Sequence, residues 1–496
     1  MIDKAIVCAC EDVSLGDLEA AVERGYADVE SMKRYTGLGT GPCQGKSCLA
    51  AAVRFCASRA GLPAEAQVPF RARPPLSPTA LASLAGLPDE IVRHRDTPLQ
   101  PPAARSGPHP LQPRGPLPEE ASTVIVGGGI MGLALAWNLA GMGETDVLVL
   151  ERGYLCEGAS GRNGGGVRAQ WTTPTLIDLA KESIEFMGRF AQELGINVWL
   201  RRGGYLFLAE DDSTLRRIEE GARLHKRHGL ATRIVDRGEA GELVPELDTS
   251  RFIAASWNPD DGVVFPWPFL WGYADGARKR GARIETFTRV IGLDVSDGAV
   301  RAVRTDRGTV RTDRVVVACG AWSPAVCAMA GVTLPNVPYR HEIVSSEPLK
   351  PFLGPLVSVL GSGLYFSQSM RGEIVGGMGD PQEPAGLNQS SSLRFLVRYA
   401  RALTELMPRV GEVKLLRQWA GCYDVTPDHS PVLGETPGVR GLLQMSGFVG
   451  HGFMMAPATA RRMAAWMGGA QDELFERFNV RRFAEGRLEK ETFIIG

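Results

Sequence analysis

Thr123-Val124-Ile125-Val126-Gly127-Gly128-Gly129-Ile130-Met131-Gly132 is a short β-branched run that breaks into glycines and reopens as an apolar helical stretch to Ala140. A second apolar run, Val147-Leu148-Val149-Leu150, follows and closes on Glu151, 19 residues after Gly132. Such runs on either side of a helical pattern predict a βαβ unit and an α/β fold. Gly127, Gly129 and Gly132 permit a tight turn and the close approach of a pyrophosphate to the helix start at Ile130 and Met131. Glu151, with Arg152 beside it, is placed to hold a ribose hydroxyl. The pattern predicts a dinucleotide site without choosing between FAD and NAD.

Around this unit stand 496 residues, enough for about three domains. With 44% hydrophobic and 22% charged residues the chain is not disordered throughout. A formal net charge of -1 gives no attraction for phosphate backbones, so no nucleic-acid partner is expected. No window approaches the roughly 18 apolar residues of a transmembrane span, and no signal-peptide core follows Met1, so a cytoplasmic protein is expected. Residues 63 to 120 are dense in proline, including Arg73-Pro74-Pro75, Gln100-Pro101-Pro102, Pro108 and Pro110, and read as an extended linker with a helical turn or two at Thr79 to Ala85. The linker separates residues 1 to 62, too small for a generous core and expected to need a metal or partner, from an α/β part over 121 to 496.

Nine cysteines in a long chain do not read as a disulfide framework, but four of them cluster. Cys8 and Cys10 stand close together, as do Cys43 and Cys48 within Gly37-Leu38-Gly39-Thr40-Gly41-Pro42-Cys43-Gln44-Gly45-Lys46-Ser47-Cys48. Two close pairs of thiols in glycine-rich loops point to one metal centre, and a helix beginning at Cys48 would favour anionic sulfur. Spacing alone does not separate zinc from iron–sulfur. The segments Cys8-Ala9-Cys10-Glu11-Asp12-Val13, Gly25-Tyr26, Lys33-Arg34-Tyr35-Thr36-Gly37 and Cys43 to Cys48 resemble the [2Fe-2S] domain named after bacterioferritin-associated ferredoxin, over nearly all of residues 5 to 60. The resemblance implies a small helical domain with Cys8, Cys10, Cys43 and Cys48 as ligands and Cys56 as a buried spare. The gap between the last two cysteines is wider than in the founding ferredoxin and is similar to versions attached to amine-oxidising flavoenzymes.

Further along, Gly158-Ala159-Ser160-Gly161-Arg162-Asn163-Gly164-Gly165-Gly166-Val167-Arg168 resembles the second cofactor-contact segment of the D-amino-acid-oxidase-like flavoproteins. Val315 to Trp322, with Gly320 and Trp322 at its end, is an apolar strand closing on small residues that let backbone lie against a cofactor. Trp419-Ala420-Gly421-Cys422-Tyr423-Asp424 through Pro431, then Ser446-Gly447-Phe448-Val449-Gly450-His451-Gly452-Phe453, resemble the family's C-terminal signature. The likeness covers about residues 122 to 490. It implies FAD held in a Rossmann-like domain built from about 121–200, 285–330 and 415–470, with an antiparallel-sheet substrate domain from about 200–285 and 330–415. It also implies FAD contacts at Ser160, Arg162, Asn163, Gly164, Gly165, Gly421, Gly447, Gly450, His451, Gly452 and Phe453. Within the family, Arg340-His341-Glu342, Tyr365 to Ser369 and Arg371-Gly372-Glu373 are similar to the branch of sarcosine oxidase β subunits and of proline, hydroxyproline and opine dehydrogenases. That branch implies a second flavoprotein subunit or other acceptor as partner and FMN at a subunit interface. Where sarcosine oxidase β subunits carry a histidine bonded to FMN, this chain has Pro266, so covalent FMN is not expected.

The catalytic expectations follow the chemistry. An amine loses a carbon-bound hydrogen and two electrons to a flavin once its nitrogen is neutral, so the protein must position it. Arg168 is expected to hold a substrate carboxylate, Tyr365 and Tyr423 to cap the pocket, and His341 or His451 to orient the amine. His429 reads as turn chemistry, and His225 and His228 as residues of an exposed helix. The leading expectation is an FAD-dependent amino-acid or secondary-amine dehydrogenase passing electrons to its own cluster or a partner. The alternatives are a relay or assembly subunit with no substrate of its own, and a pyridine-nucleotide-linked reductase.

Overall fold

The computed structural model describes residues 4–70, 72–93, 109, 111–113 and 115–494; Pro101, Pro102, Pro108 and Pro110 lie outside them. Among the described residues six strands form one sheet, in the order Arg283–Glu285, Val147–Leu150, Thr123–Val126, Val315–Val317, Leu442–Ser446 and Val432–Glu435. All neighbours run parallel except the last pair. The central strands read as unbroken apolar runs because both faces are covered: every residue of Thr123–Val126 and Val147–Leu150 is buried. The helix Ile130–Gly141 covers one face, with ten of its residues buried, which explains its lack of a polar stripe. Val126 pairs with Leu150 and Val317, so the carboxyl ends of three strands come out level, the place where open α/β sheets bind ligands.

A second sheet of nine strands carries the substrate side, ordered Thr79–Ala80, Lys414–Val425, Val337–Pro348, Glu373–Gly377, Tyr365–Gln368, Leu356–Val359, Tyr205–Ala209, Ala254–Asn258 and Arg233–Val235. Its neighbours run antiparallel, apart from Leu356–Val359, which runs parallel to Tyr205–Ala209.

The proline-rich stretch differs from an extended tether. Thr79 and Ala80 pair with Leu415 and Lys414 at the sheet edge, and the helix Leu81–Ala85 buries Leu81 and Leu84. Arg401 and Arg394 then donate to the carbonyls of Ala85 and Val92 at 2.9 and 2.7 Å. An edge strand with unpaired amides offered the partner that local composition could not reveal.

The N-terminal unit holds three helices. Leu15–Glu23 starts at a capping box between Ser14 and Asp17, Val29–Thr36 ends on Gly37, and Leu49–Ala60 begins at Cys48. Leu18, Met32, Leu38, Ala52 and Cys56 fill its interior. The unit is clamped to the rest: Arg34 donates to Tyr154 Oη at 2.7 Å and to the Gly161 carbonyl at 3.2 Å, while Tyr35 packs against Trp271 at 4.8 Å. Arg417 donates to the Thr40 carbonyl and Arg371 pairs with Glu11. Among the described residues no helix is long and apolar enough to cross a membrane.

Candidate functional site

The first glycine after Val126 turns the chain through φ +117°, and a Cβ there would overlap the Ala318 carbonyl. A Cβ at Gly132 would likewise overlap the Gly127 carbonyl, so only glycine lets helix and strands pack this tightly. Beyond the turn lies a cavity of about 300 Å³, walled by Gly127, Gly129, Met131, Glu151, Ser160 and Trp322 and running on to Gly450, Gly452 and Phe453. Ile130, Arg152, Asn163 and Gly320 also face it. The Glu151 carboxylate accepts the amides of Gly128 and Gly153 at 2.8 and 2.9 Å, and Arg152 lies 4.2 Å over the Trp322 ring. The Ile130 amide at the helix start donates to Ser160 Oγ at 3.0 Å, and this helix start with its glycine cradle fits a dinucleotide's phosphates.

Several residues expected at this cavity stand elsewhere. Gly132 is packed inside the turn. Arg162 is a backbone staple, donating to the carbonyls of Glu157 at 2.8 Å and Ala420 at 3.0 Å, and Gly421 packs against its stem. Gly164 and Gly165 adjoin Ile343 and Val264, Gly447 donates to Asp424, and His451 is turned to Trp171 at 4.5 Å. The sequence reading missed Thr288, Arg289 and Val290, which close the outer wall. The rule that ligands sit at strand carboxyl ends would have found them, because they follow the strand Arg283–Glu285.

Four of the five expected catalytic side chains meet in one aromatic box. His341 Nε2 lies 3.0 Å from Tyr365 Oη, and the same imidazole stacks on Tyr423 at 4.5 Å. Trp171 and His451 adjoin, the latter at the start of the helix Gly452–Met467. Burial pushes His341 down to about 4 and His451 well below its usual value, while burial raises both phenols, so all four are uncharged at neutral pH.

The Arg168 guanidinium faces neither the dinucleotide cavity nor the cavity beside the N-terminal unit, and stands close to Tyr423 of the box. It is fully buried over Trp171 at 3.6 Å and donates to the carbonyls of Gln170 and Phe493, with Nε unpartnered. Burial lowers its pKa, against the opposing pull of Tyr205, Glu491, Asp261 and Tyr423. His225 departs from expectation: it is buried, bonded to the Trp171 carbonyl at 2.8 Å and pushed by burial down to about 4.

The four clustered thiols converge as two pairs, Cys8 with Cys48 and Cys10 with Cys43, and the pairs feel each other's charge. Burial and then the Cys8 and Cys43 charges push Cys48 up to about 12. Burial opposes ionisation of Cys43 too, but the amides of Ser47 and Gly45 and the Cys10 thiol outweigh it and hold Cys43 below the usual thiol value. Such amides around sulfur suit an anionic cluster. Among the described residues no three His, Cys, Asp or Glu side chains are grouped to hold a single metal ion.

A second cavity, of about 430 Å³, opens between the N-terminal unit and the rest. Lys33, Arg34, Arg73, Arg371 and Arg417 face it against Glu11 and Glu373, with Trp267, Trp271 and Trp419 as flat walls. Arg73 lies 5.4 Å over Trp419, and burial followed by repulsion from Arg34 and Arg162 holds it down to about 9. Asn163 borders both cavities, and Glu11, next to Cys10, borders the second.

Residues 122–466 match the family model described as FAD dependent oxidoreductase, and residues 2–87 match one described as the sarcosine oxidase A3 domain. Sarcosine oxidase subunit beta of Rhizobium meliloti (strain 1021) is 30% identical over 371 residues, covering 74% of this chain and 89% of that protein. Mitochondrial dimethylglycine dehydrogenase of Rattus norvegicus is 28% identical over 374 residues, which are 70% of this chain but only 43% of that protein. The crystal structure of L-proline dehydrogenase from P. horikoshii superposes with a TM-score of 0.72 at 33% identity, covering 75% of this chain and 100% of that one.

Proposed function

The chain belongs to the FAD dependent oxidoreductase family, and from that premise we propose that it oxidises the CH–NH group of a carboxylate-bearing amine to the imine. The substrate is an amino acid or secondary amine of the sarcosine, proline, hydroxyproline or opine kind, the first two named for its relatives. The observation that carries this reading is the uncharged box of His341, Tyr365 and Tyr423 beside a buried guanidinium.

FAD held along Gly127, Glu151, Ser160 and Gly450 supplies the acceptor for the substrate's hydrogen and electron pair. The chain's own residues do the positioning. Arg168 has no carboxylate within ion-pair reach among the described residues and keeps Nε free, so it attracts the substrate carboxylate. His341 and Tyr365 bring no charge to the substrate nitrogen, and their low-polarity surroundings favour the neutral amine over the ammonium ion. Tyr365 Oη, fixed by His341 Nε2, orients that nitrogen. The stacked Tyr423 ring excludes water.

Cys8, Cys10, Cys43 and Cys48 would hold a [2Fe-2S] cluster, which would supply a one-electron carrier. The cationic, tryptophan-walled second cavity suits FMN, within one chain instead of at a subunit interface, and Pro266 on its wall offers no nucleophile for a covalent link. The succession of first cavity, Asn163, second cavity and Glu11 supports an outlet for electrons toward the thiols and on to a second subunit or another acceptor.

The test is an anaerobic absorbance titration of the purified protein with sarcosine, dimethylglycine, proline and hydroxyproline, with iron and acid-labile sulfide assayed. Bleaching of the flavin band at about 450 nm by one of these amines supports the reading and names its chemistry. Flavin and iron both present, with no bleaching by any amine, overturns it in favour of a relay subunit.

A further inference from the structure

The segment Glu489–Phe493 packs against the loop that carries Arg168 and Trp171, beside the aromatic box. Its Glu491 carboxylate accepts the amides of Thr172 and Thr173 at 2.9 and 3.0 Å and the Thr172 hydroxyl at 2.7 Å. These amides belong to the two residues before the 21-residue helix Pro174–Leu194, to which Thr173 lends no side-chain cap, so Glu491 fixes the turn into the helix and sets a carboxylate at its N-terminal end. Two residues on, the Phe493 amide bonds Glu491 Oε1 at 2.8 Å, and its ring is 1% exposed, packed on Phe207 at 5.5 Å. A Cβ on Gly221 would press into that ring, so the helix Asp212–Arg227 leaves a slot for it. The Phe493 carbonyl is then one of the two acceptors on the Arg168 guanidinium. The other end of the segment is anchored as firmly: the amides of Glu489 and Glu491 bond Asp428 at 3.1 and 3.0 Å, and Asp428 itself forms a fully buried pair with Arg482.

We infer that Glu491 and Phe493 are positioning residues for Arg168, setting the direction of the guanidinium that receives the substrate carboxylate; this rests on the role of Arg168 proposed above. The physical reason is the poverty of other restraints. Arg168 sits among the rings of Trp171, Tyr205 and Phe207, which attract a cation but do not fix its rotation. Its second acceptor, the Gln170 carbonyl, belongs to the same short loop and moves with it. The Phe493 carbonyl comes from a different part of the chain and is held by the bonds of Glu491 to Thr172 and Thr173 on one side and the Phe493 slot on the other. Loss of either lets the guanidinium turn, and an arginine misdirected by a fraction of an ångström binds a carboxylate poorly while leaving the cofactor cavity untouched.

The experiment compares Glu491→Gln and Phe493→Ala with Arg168→Lys and Arg168→Met in the full chain. FAD content is measured first, then KM and kcat for the carboxylate-bearing amine that bleaches the flavin, then KM for pyrrolidine, and the Kd of acetate from its perturbation of the flavin spectrum. For Glu491→Gln and Phe493→Ala, the KM and the acetate Kd are expected to rise about tenfold with kcat nearly constant, FAD retained and pyrrolidine unaffected. Glu491→Asp should restore part of the loss. If the two Arg168 variants weaken acetate binding while the Glu491 and Phe493 variants do not, the positioning role is overturned and the role of Arg168 stands. If the Arg168 variants bind acetate as wild type does, the role of Arg168 fails and the positioning role with it.

Discussion

Gly450 lies so close against the ring of Tyr423 that a Cβ at its position would overlap the ring, and its φ of +82° is one that L side chains rarely adopt. The turn that opens the helix Gly452–Met467 therefore presses directly on the aromatic box, joining the cofactor cavity to the substrate side. Gly450→Ala combines a left-handed strain of about 1 kcal/mol with overpacking of about 1–3 kcal/mol. The expected outcome is a lower melting temperature and at least a tenfold loss of bound FAD, read from the flavin-to-protein absorbance ratio. Gly438→Ala, at φ +81° with open space around it, should lose only the strain contribution and keep its flavin.

Tyr365→Phe removes the phenol that His341 Nε2 holds at 3.0 Å while keeping the ring. The expected outcome is a fall in kcat and in the anaerobic flavin reduction rate of about tenfold to a hundredfold, with normal FAD content. Unchanged reduction kinetics would remove Tyr365 from the catalytic group.

Burial holds His225 and His341 each down to about 4 from the usual 6.5. The unfolded chain takes protons on these rings below pH about 6.5, while the folded chain resists until about 4. Stability from their neutral burial is therefore complete above 6.5 and is lost as pH falls toward 4, at roughly 1.4 kcal/mol per pH unit for each ring. Asp261 and Glu342, each pushed up to about 7 by burial, act in the opposite sense, losing stability as pH rises through that range. The informative quantity is thus the difference between wild type and His225→Gln in urea unfolding from pH 7.5 to 4.5. The variant should lose about one proton's worth of slope. Parallel curves would show that His225 takes up a proton in the fold as readily as in the unfolded chain.

Cys10→Ser and Cys43→Ser each break one thiol pair and should abolish bound iron and acid-labile sulfide, which wild type is expected to hold at about two of each per chain. Cys56→Ser should keep both, since Cys56 faces Met32 at 3.6 Å inside the small domain. Wild-type protein with zinc and no sulfide would replace the iron–sulfur assignment.

What was legible in the sequence was local. Thr123 to Gly132 announces its turn because strand, glycines and helix are consecutive, and the cysteine pairs announce a centre because each pair lies within a few residues. What was hidden depended on distant partners. Arg162 stands in a cofactor-contact segment yet spends its donors on the carbonyls of Glu157 and Ala420, and Thr79–Ala80 becomes a strand only because Lys414 and Leu415 offer an edge. His225 lies in a strongly charged helix, but its face is covered by Phe493, 6.3 Å away ring to ring. The second cavity had no local signal at all, since its walls come from the N-terminal unit, the proline-rich stretch, the segment around Gly161 to Gly164, the start of the helix at Pro266 and the nine-stranded sheet.

That cavity makes a prediction that its composition decides. Four arginines and Lys33, which burial pushes down to about 7, face it against two carboxylates, and Arg73 packs on Trp419 without an acidic partner among the described residues. Removing a cation from such a set weakens a dianionic phosphate ligand far more than it weakens the fold, which gains from the relief of repulsion among Arg34, Arg73 and Arg162. Acid denaturation of wild-type protein should release all of its flavin, as FAD and FMN in comparable amounts, because Pro266 gives no attachment point. Arg73→Ala should lower the released FMN by about tenfold or more, leave the FAD in place, and hold or raise the melting temperature. Release of FAD alone from wild type would assign the cavity to another anion, and flavin retained on the precipitated chain would show a covalent link formed by some residue other than the one at position 266.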